Sequence, residues 1–379
     1  MQSREEFVRL VSAEGANMAL LCRRFGISRK TGYKWRSRQQ ADAPLLDRSR
    51  RPLHSPSRTA SAIEARVLEL RDQQPSWGGR KLRRRLLDLE QTGVPAASTI
   101  TAILDRHGRL DPAEAAKHTP LQRFEHDRPN ALWQMDFKGH FAHGGGRCHP
   151  LTVLDDHSRY AICLAACADE VTETVRDRLI AVFRRFGLPD RINADNGSPW
   201  GDSAGGHYTE LTVWLLRLGL PCSHSRAYHP QTNGKVERFH RTLKRDVLEA
   251  RSYADLAACQ RAFDTFRGVY NSERPHEALD LAVPASRYRP SLREYPETLP
   301  PIEYDPADQV RRVQKGGWIS FQGRAFHLPK AFAGQPVALR PTTTDGKWDV
   351  IFVAQRVVQI DLHDALGKVQ PVTHVPEHV

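Results

Sequence analysis

The chain has 379 residues, enough for two to four domains, and with 40% hydrophobic and 26% charged residues its composition excludes wholesale disorder. Its 56 Lys and Arg against 44 Asp and Glu leave a net charge of +12 at pH 7, which favours a polyanionic partner over a neutral small molecule. No apolar run approaches the ~18–20 residues of a membrane span, and MQSREEFVRL lacks a signal-peptide pattern.

The six cysteines include no Cys-x-x-Cys pair, so neither a disulfide scaffold nor a thiolate zinc site is expected, and the protein reads as cytoplasmic with reduced thiols. The charge is unevenly placed. Residues 1–130 carry 25 Lys and Arg against 15 Asp and Glu, a net of +10, while residues 131–379 are near neutral at 31 against 29.

In chain order, the first block (1–42) reads as short helices. Phe7, Leu10 and Val11 share a face, as do Leu20, Leu21 and Phe25; Gly26 breaks the period, and Ser28 can cap a helix over RKTGYKWRSRQQ. A tight Gly turn between short helices, the second bearing Arg29, Lys30, Tyr33, Lys34, Arg36 and Arg38, predicts a DNA-binding helix-turn-helix. A helical hairpin with a solvated basic face is the alternative. A Pro-, Ser- and Arg-rich linker follows over 43–58.

Helical period returns over 59–110 through Ile63, Val67, Leu70, Leu82, Leu86 and the TITAILDRHG stretch, predicting a second helix-turn-helix. Arg80, Lys81 and Arg84 are its candidate DNA contacts, a solvated face again being the alternative. A second linker spans 111–128.

The body (129–290) changes period. ALWQMDFKGHF alternates as a strand; LTVLDDHSRYAICLAACA reads as two strands joined by an Asp-Asp-His-Ser turn; VTETVRDRLIAVFRRFG is an amphipathic helix. Then come a strand at DRINAD, a helix around YTELTVWLLRLG, a strand near LPCSH, a long helix from about Gly234 to Glu249, and another at YADLAACQRAFDTFRGVY. This order predicts an α/β body with a helix-covered mixed sheet. The last piece (308–362) has strand-length runs with Asp-Gly and Gly-Gly turns, predicting a small all-β barrel or sheet.

Three carboxylates stand where chemistry could use them. Asp136 lies inside a strand, Asp195 directly follows one, and Glu237 opens the long helix. An acid in an apolar strand is costly unless paired, and three converging on one place would make a cluster suited to divalent cations. Oxygen donors favour Mg²⁺ or Mn²⁺, and two such ions about 4 Å apart could drive in-line displacement at phosphorus. Asp195 before Asn-Gly could instead be a plain turn residue. Asp202 is a rival acid in Gly-rich surroundings. Asp155 and Asp156 read as turn formers, Asp246 falls on the other face of its helix, and His140, His143 and His149 read as polar loop residues.

The words WQMDFKG, LTVLDDHSRY, ADNGSPW, HPQTNGKVERFHRTLK and YNSERPHEALDLAVPASRY occur in order over about 160 residues. They resemble the integrase-core transposases of bacterial insertion sequences, relatives of retroviral integrases. The resemblance implies an RNase-H-like catalytic core between N-terminal helix-turn-helix domains and a C-terminal β domain. Asp136, Asp195 and Glu237 would be the metal-binding triad, with two Mg²⁺ or Mn²⁺ ions per site. Lys244, two helical turns past Glu237, would contact DNA near the scissile phosphate, with His240 and Arg241 bordering the same face.

The implied substrates are the element's terminal inverted repeats and target DNA, bound by a homo-oligomer. Forty-one residues separate Asp195 from Glu237, more than in the best-known members, and the polar GDSAGGH stretch can absorb the surplus. His229 and Asn233 could help position the flanking strand. A DNA-binding regulator with an idle nuclease body, or a nuclease that cuts without joining, are the competing functions.

Overall fold

The computed structural model describes residues 2–47, 58–110, 125–201, 208–224, 234–249, 252–364 and 369–371. Asp202, His229, Asn233 and most of both expected linkers lie outside them. The chain divides into two compact units, Met1–Thr59 and Ala60–Val379.

In the first unit, α1 (Gln2–Val11), α2 (Met18–Arg24) and α3 (Arg29–Gln40) enclose Phe7, Val8, Val11, Met18 and Cys22. Asn17 caps α2 by accepting from the amides of Ala19 and Leu20, and Ser28 caps α3 by accepting from Thr31 N at 3.1 Å. Gly32 lies where the helices meet: a Cβ there would come within 2.6 Å of Cys22 Sγ and 3.0 Å of Phe7. Arg29, Lys30, Tyr33, Lys34 and Arg36 are exposed on α3, whereas Arg38 turns inward and donates to Leu46 O at 2.7 Å.

The second unit begins with α4 (Ser61–Gln73), α5 (Gly79–Asp88) and α6 (Ala97–Arg106), packed around Val67, Trp77, Leu82, Leu86, Ile100 and Leu104. The buried Glu64 carboxylate receives Arg106 and the His107 ring, and these hydrogen bonds hold it well below the usual carboxylate range, at about 2.

The central sheet contains β1 (Trp133–Phe137), β2 (Phe141–His143), β3 (Gly146–Asp155), β4 (Ala161–Cys167), β5 (Ile192–Ala194) and β6 (Cys222–His224). Its spatial order is β4-β3-β1-β5-β6, with β2 paired to the start of β3. β1, β3 and β4 form an antiparallel meander, and β5 and β6 add in parallel. Parallel addition requires crossovers, supplied by α7 (Thr172–Phe186) and α8 (Glu210–Arg217).

Strand alternation sends Trp133, Met135, Leu151 and Val153 to a core shared with α7 and α8. Leu154, Ala161, Leu164 and Ala166 face the other core, with α9 (Gly234–Leu243) and α10 (Leu256–Ser272). The expected long helix is α-helical only to Leu243. Over Lys244–Leu248 it widens to a π-turn in which Glu249 N donates to Lys244 O at 2.9 Å. After the short α11 (Pro284–Arg287), the chain enters the all-β region.

There β7 (Gln309–Arg312), β10 (Pro336–Pro341), β11 (Lys347–Phe352), β12 (Gln355–Asp361) and β13 (Val369–Pro371) form an antiparallel sheet in the order β13-β12-β11-β10-β7. β8 (Trp318–Phe321) and β9 (Arg324–His327) make a separate hairpin over the same core. Gly317 and Gly346, at φ +87° and +74°, occupy the expected Gly-Gly and Asp-Gly turns. Val213 and Leu216 of α8 enter the β-domain core while Leu211 and Leu215 face the sheet, so α8 bridges the two.

Because Glu64 titrates far below its ordinary value of 4.5, its contribution to stability is present above that value and is lost as the pH falls towards about 2. Glu64→Gln is expected to lower the thermal midpoint at pH 7, with the gap from wild type narrowing between pH 5 and pH 2; scanning calorimetry across that range checks it.

Candidate active site

The site is assembled by register. β1 and β5 are parallel, with Trp133 beside Ile192 and Gln134 beside Asn193. Continuing that register by two residues sets Asp195, just past β5, alongside Asp136. Alternation in β1 places Gln134 and Asp136 on the face covered by α9, whose first turn carries Glu237. Val236, Phe239 and Leu243 bury the inner side of α9 and leave Glu237 exposed.

Electrostatics tie the three acids together. The Asp136 carboxyl is pushed up to about 7, first by burial, then by Asp195 and Glu237, against the Phe137 amide and Lys138. Burial also raises Asp195; Glu170 adds to this, and the Gly197 amide (3.1 Å from Asp195 Oδ1) and His224 oppose it. Asp195 is further anchored through its carbonyl, 2.8 Å from His224 Nδ1. As the side chains stand, no three His, Cys, Asp or Glu among the described residues are grouped closely enough to hold an ion. The donor set nevertheless suits a hard divalent cation: all the donors are oxygens, and the like-charge excess at Asp136 is the kind a cation relieves.

His240 departs from its expected role. It is only 6% exposed, with Nε2 3.0 Å from Thr152 Oγ1 and Nδ1 3.8 Å from Asp136 Oδ2. Three residues past Glu237, it turns onto the inner face with Phe239 and Leu243. Burial, reinforced by Lys138, pulls the ring down to about 3, so it is a neutral support beneath Asp136 rather than an exposed group on the outer face of α9. Arg241 and Lys244 are exposed, and Lys244 Nζ lies 3.3 Å from Glu249.

Of the basic residues of α5, Arg80 and Arg84 are exposed and Lys81 is not. Arg80 pairs with Glu277 at 3.3 Å, Arg84 with Asp88 at 2.8 Å, and Arg85 with Glu273 at 2.5 Å. Lys81 is half-buried against the body; desolvation, with Arg274, Arg245 and Arg238, pulls its ammonium down to about 7. Lys81 is therefore turned towards the central body, not towards open solvent. The third helix of this block, α6, instead exposes Ser98, Thr99 and Ala102. Asp246, off the Glu237 face, accepts from Ser76 at 3.1 Å and Arg274 at 3.4 Å.

His149 Nδ1 lies 2.8 Å from Glu170, and its ring stands 5.4 Å from that of His140; His143 accepts from Gly145 N. Asp155 and Asp156 exceed their expected turn role, being 0% and 2% exposed. Asp155 accepts from Asn130 N, Ser158 N and Ser158 Oγ. Asp156 accepts from His126 N, Gln134 Nε2 and Lys235 Nζ. One Asp suffices for a turn; a second beside it, after the apolar run LTVL, was the signal of a buried polar hub.

Family comparisons assign most of the chain. An integrase core domain matches residues 126–230, and a second integrase core domain description matches 218–284. Residues 308–366 match the IS481 family transposase C-terminal domain, 3–52 a helix-turn-helix domain, and 31–104 a homeodomain-like domain.

A 31.7 kDa protein of insertion element IS407 from Burkholderia multivorans is 25% identical over 250 residues, covering 64% of this chain and 87% of that protein. The Gag-Pol polyprotein of baboon endogenous virus is 28% identical over 192 residues, covering 48% of this chain but 10% of the polyprotein. Among solved structures, the HTLV-2 integrase catalytic core domain in complex with magnesium is 15% identical, with 43% of this chain and 99% of that chain covered and a TM-score of 0.33. A simian T-cell lymphotropic virus intasome, in complex with the PP2A regulatory subunit B56 gamma, is 15% identical, with 75% and 91% covered and a TM-score of 0.38. Helix-turn-helix segments, then an integrase core, then an IS481-type C-terminal domain: this domain order is consistent with an integrase-core transposase of a bacterial insertion sequence.

Proposed function

We propose that this protein binds the terminal inverted repeats of its own element, cleaves at the element ends, and joins the freed 3′-hydroxyl to target DNA by transesterification, as a homo-oligomer in the bacterial cytoplasm. The observation that carries this reading is the convergence of charge on Asp136, whose carboxyl is raised by burial and by the other two acids together. Residues 1–42 and 59–110 would bind DNA, 129–290 would carry the chemistry, and 308–362 would form the β domain.

Asp136, Asp195 and Glu237 would hold two Mg²⁺ or Mn²⁺ ions. Bound there, such ions would supply activation of a water or 3′-hydroxyl and stabilisation of the leaving oxygen. The protein's own contribution is placement. The Gly197 amide orients Asp195, and the neutral His240 ring fills the space below Asp136 without adding a competing charge. Exposed Arg241, one turn along α9 from Glu237, and Lys244, at the start of the π-turn that follows, lie within reach of a phosphate backbone running past the site. In α3, Arg29, Lys30, Tyr33, Lys34 and Arg36 form an open basic face suited to a major groove.

Asp136→Asn is expected to reduce strand joining by about a thousandfold or more while leaving end binding intact. The assay combines pre-nicked element ends, Mg²⁺ and a plasmid target. Joining that survives the substitution refutes the catalytic assignment, and cut but never joined products from the wild type would make the protein a nuclease.

Without metal, the same substitution should stabilise the fold at alkaline pH. The native carboxyl titrates near 7 rather than 3.8, so wild type loses stability as the pH rises through that interval and the Asn variant does not. The variant's thermal midpoint in EDTA should exceed that of wild type at pH 8 and converge with it below pH 4.

For DNA contacts, Lys34→Ala and Arg36→Ala should each lower the salt dependence of end binding by about one unit of slope. Lys81→Met should leave the slope unchanged, because its ammonium is already turned to the body. Binding isotherms between 50 and 200 mM salt measure both.

A further inference from the structure

The hub around Asp156 lies two residues from the acidic site on two sides. Its carboxylate, 2% exposed, accepts from Gln134 Nε2 at 2.8 Å, from the His126 amide at 3.0 Å, and from Lys235 Nζ. Gln134 precedes Asp136 by two positions on the same face of β1. Lys235 precedes Glu237 by two positions in the first turn of α9, where its side chain is 17% exposed. One buried anion therefore joins the strand that carries the first acid to the helix end that carries the third.

The neighbouring Asp155 meets the needs of the hairpin turn by itself, through Ser158 and the Asn130 amide, so the turn does not require Asp156. The apolar anchors of α9, Val236 and Phe239, are both buried and hold the helix against the sheet. Apolar contacts tolerate small slides and rotations, whereas an ammonium held by a buried carboxylate fixes one point of the helix end.

We infer that Lys235 and Asp156 form a buried latch that sets the placement of Glu237 relative to Asp136, and through it the affinity of the acidic site for a divalent cation. This rests on the reading of the three acids as a cation site. Lys235 and Asp156 are positioning residues: neither is required to touch DNA or metal.

The test uses the full chain in four forms: wild type, Lys235→Met (stem kept, charge removed), Lys235→Arg (charge kept) and Asp156→Asn. Mn²⁺ binding to the DNA-free protein is measured by calorimetry, the Mg²⁺ requirement of strand joining by titration, and folding by thermal midpoint. Lys235→Met should weaken Mn²⁺ binding and raise the half-saturating Mg²⁺ concentration by about 10- to 100-fold, as loss of a ligand-orienting group does. Joining should recover at saturating Mg²⁺, and Lys235→Arg should restore both constants most of the way.

Wild-type cation constants in a folded Lys235→Met overturn the latch, and so does an Arg variant as impaired as the Met one. Should Lys235→Met fail to fold, Asp156→Asn is read by the same two constants. A wild-type protein that binds no Mn²⁺ removes the cation-site reading and the latch with it; normal wild-type binding with unchanged variants removes the latch alone.

Discussion

A carboxylate inside a helix-covered sheet is the constraint around which the central domain is arranged. Asp136 sits in β1 between Met135 and Phe137, where burial alone raises its carboxyl. The parallel addition of β5 brings Asp195 to its side, and the packing of α9 across the sheet brings Glu237 within electrostatic reach. Each step makes the metal-free site less favourable. A fold that only sought stability would place an apolar side chain there; convergence of like charges is the usual mark of a site kept for chemistry.

Groups around the acids limit that unfavourable arrangement without cancelling it. The His240 ring, buried and neutral, supplies packing and a hydrogen bond to Thr152 but no cation. The Gly197 amide and His224 hold Asp195 from two directions. A close cation–carboxylate contact beside the site, Lys235 with Asp156, joins β1 to α9 rather than neutralising the acids. The open negative charge of the site is thus preserved by how its neighbours are engaged.

Positive charge is divided as well. On α3 the cations project from a helix whose inner side is filled by its own small core. On α5, Lys81 and Arg85 are half-buried, Arg85 against Glu273, while Arg80, Arg83 and Arg84 remain exposed, Arg80 beside Glu277 and Arg84 paired with Asp88 of its own helix. Two basic helices that look alike in composition therefore differ in how many of their cations are held by acids of other segments.

The amino-acid sequence by itself determined the succession of helical, mixed and all-β segments, since hydrophobic period, Gly turns and caps such as Ser28 are local properties. It also singled out Asp136, Asp195 and Glu237, because an acid inside a strand or opening a helix beside the HPQTNGKVERFHRTLK word is visible without coordinates. Only the tertiary structure decided that His240 faces inward, that Lys81 is engaged by the body, that the long helix widens at Lys244, and that Asp156 is a hub and not merely a turn residue. The burial of His240 and Asp156 and the engagement of Lys81 depend on which residues from distant segments surround a side chain. The pairing of Asp156 with Lys235 spans 79 positions and that of Arg85 with Glu273 spans 188, separations over which local pattern carries no information about burial or charge.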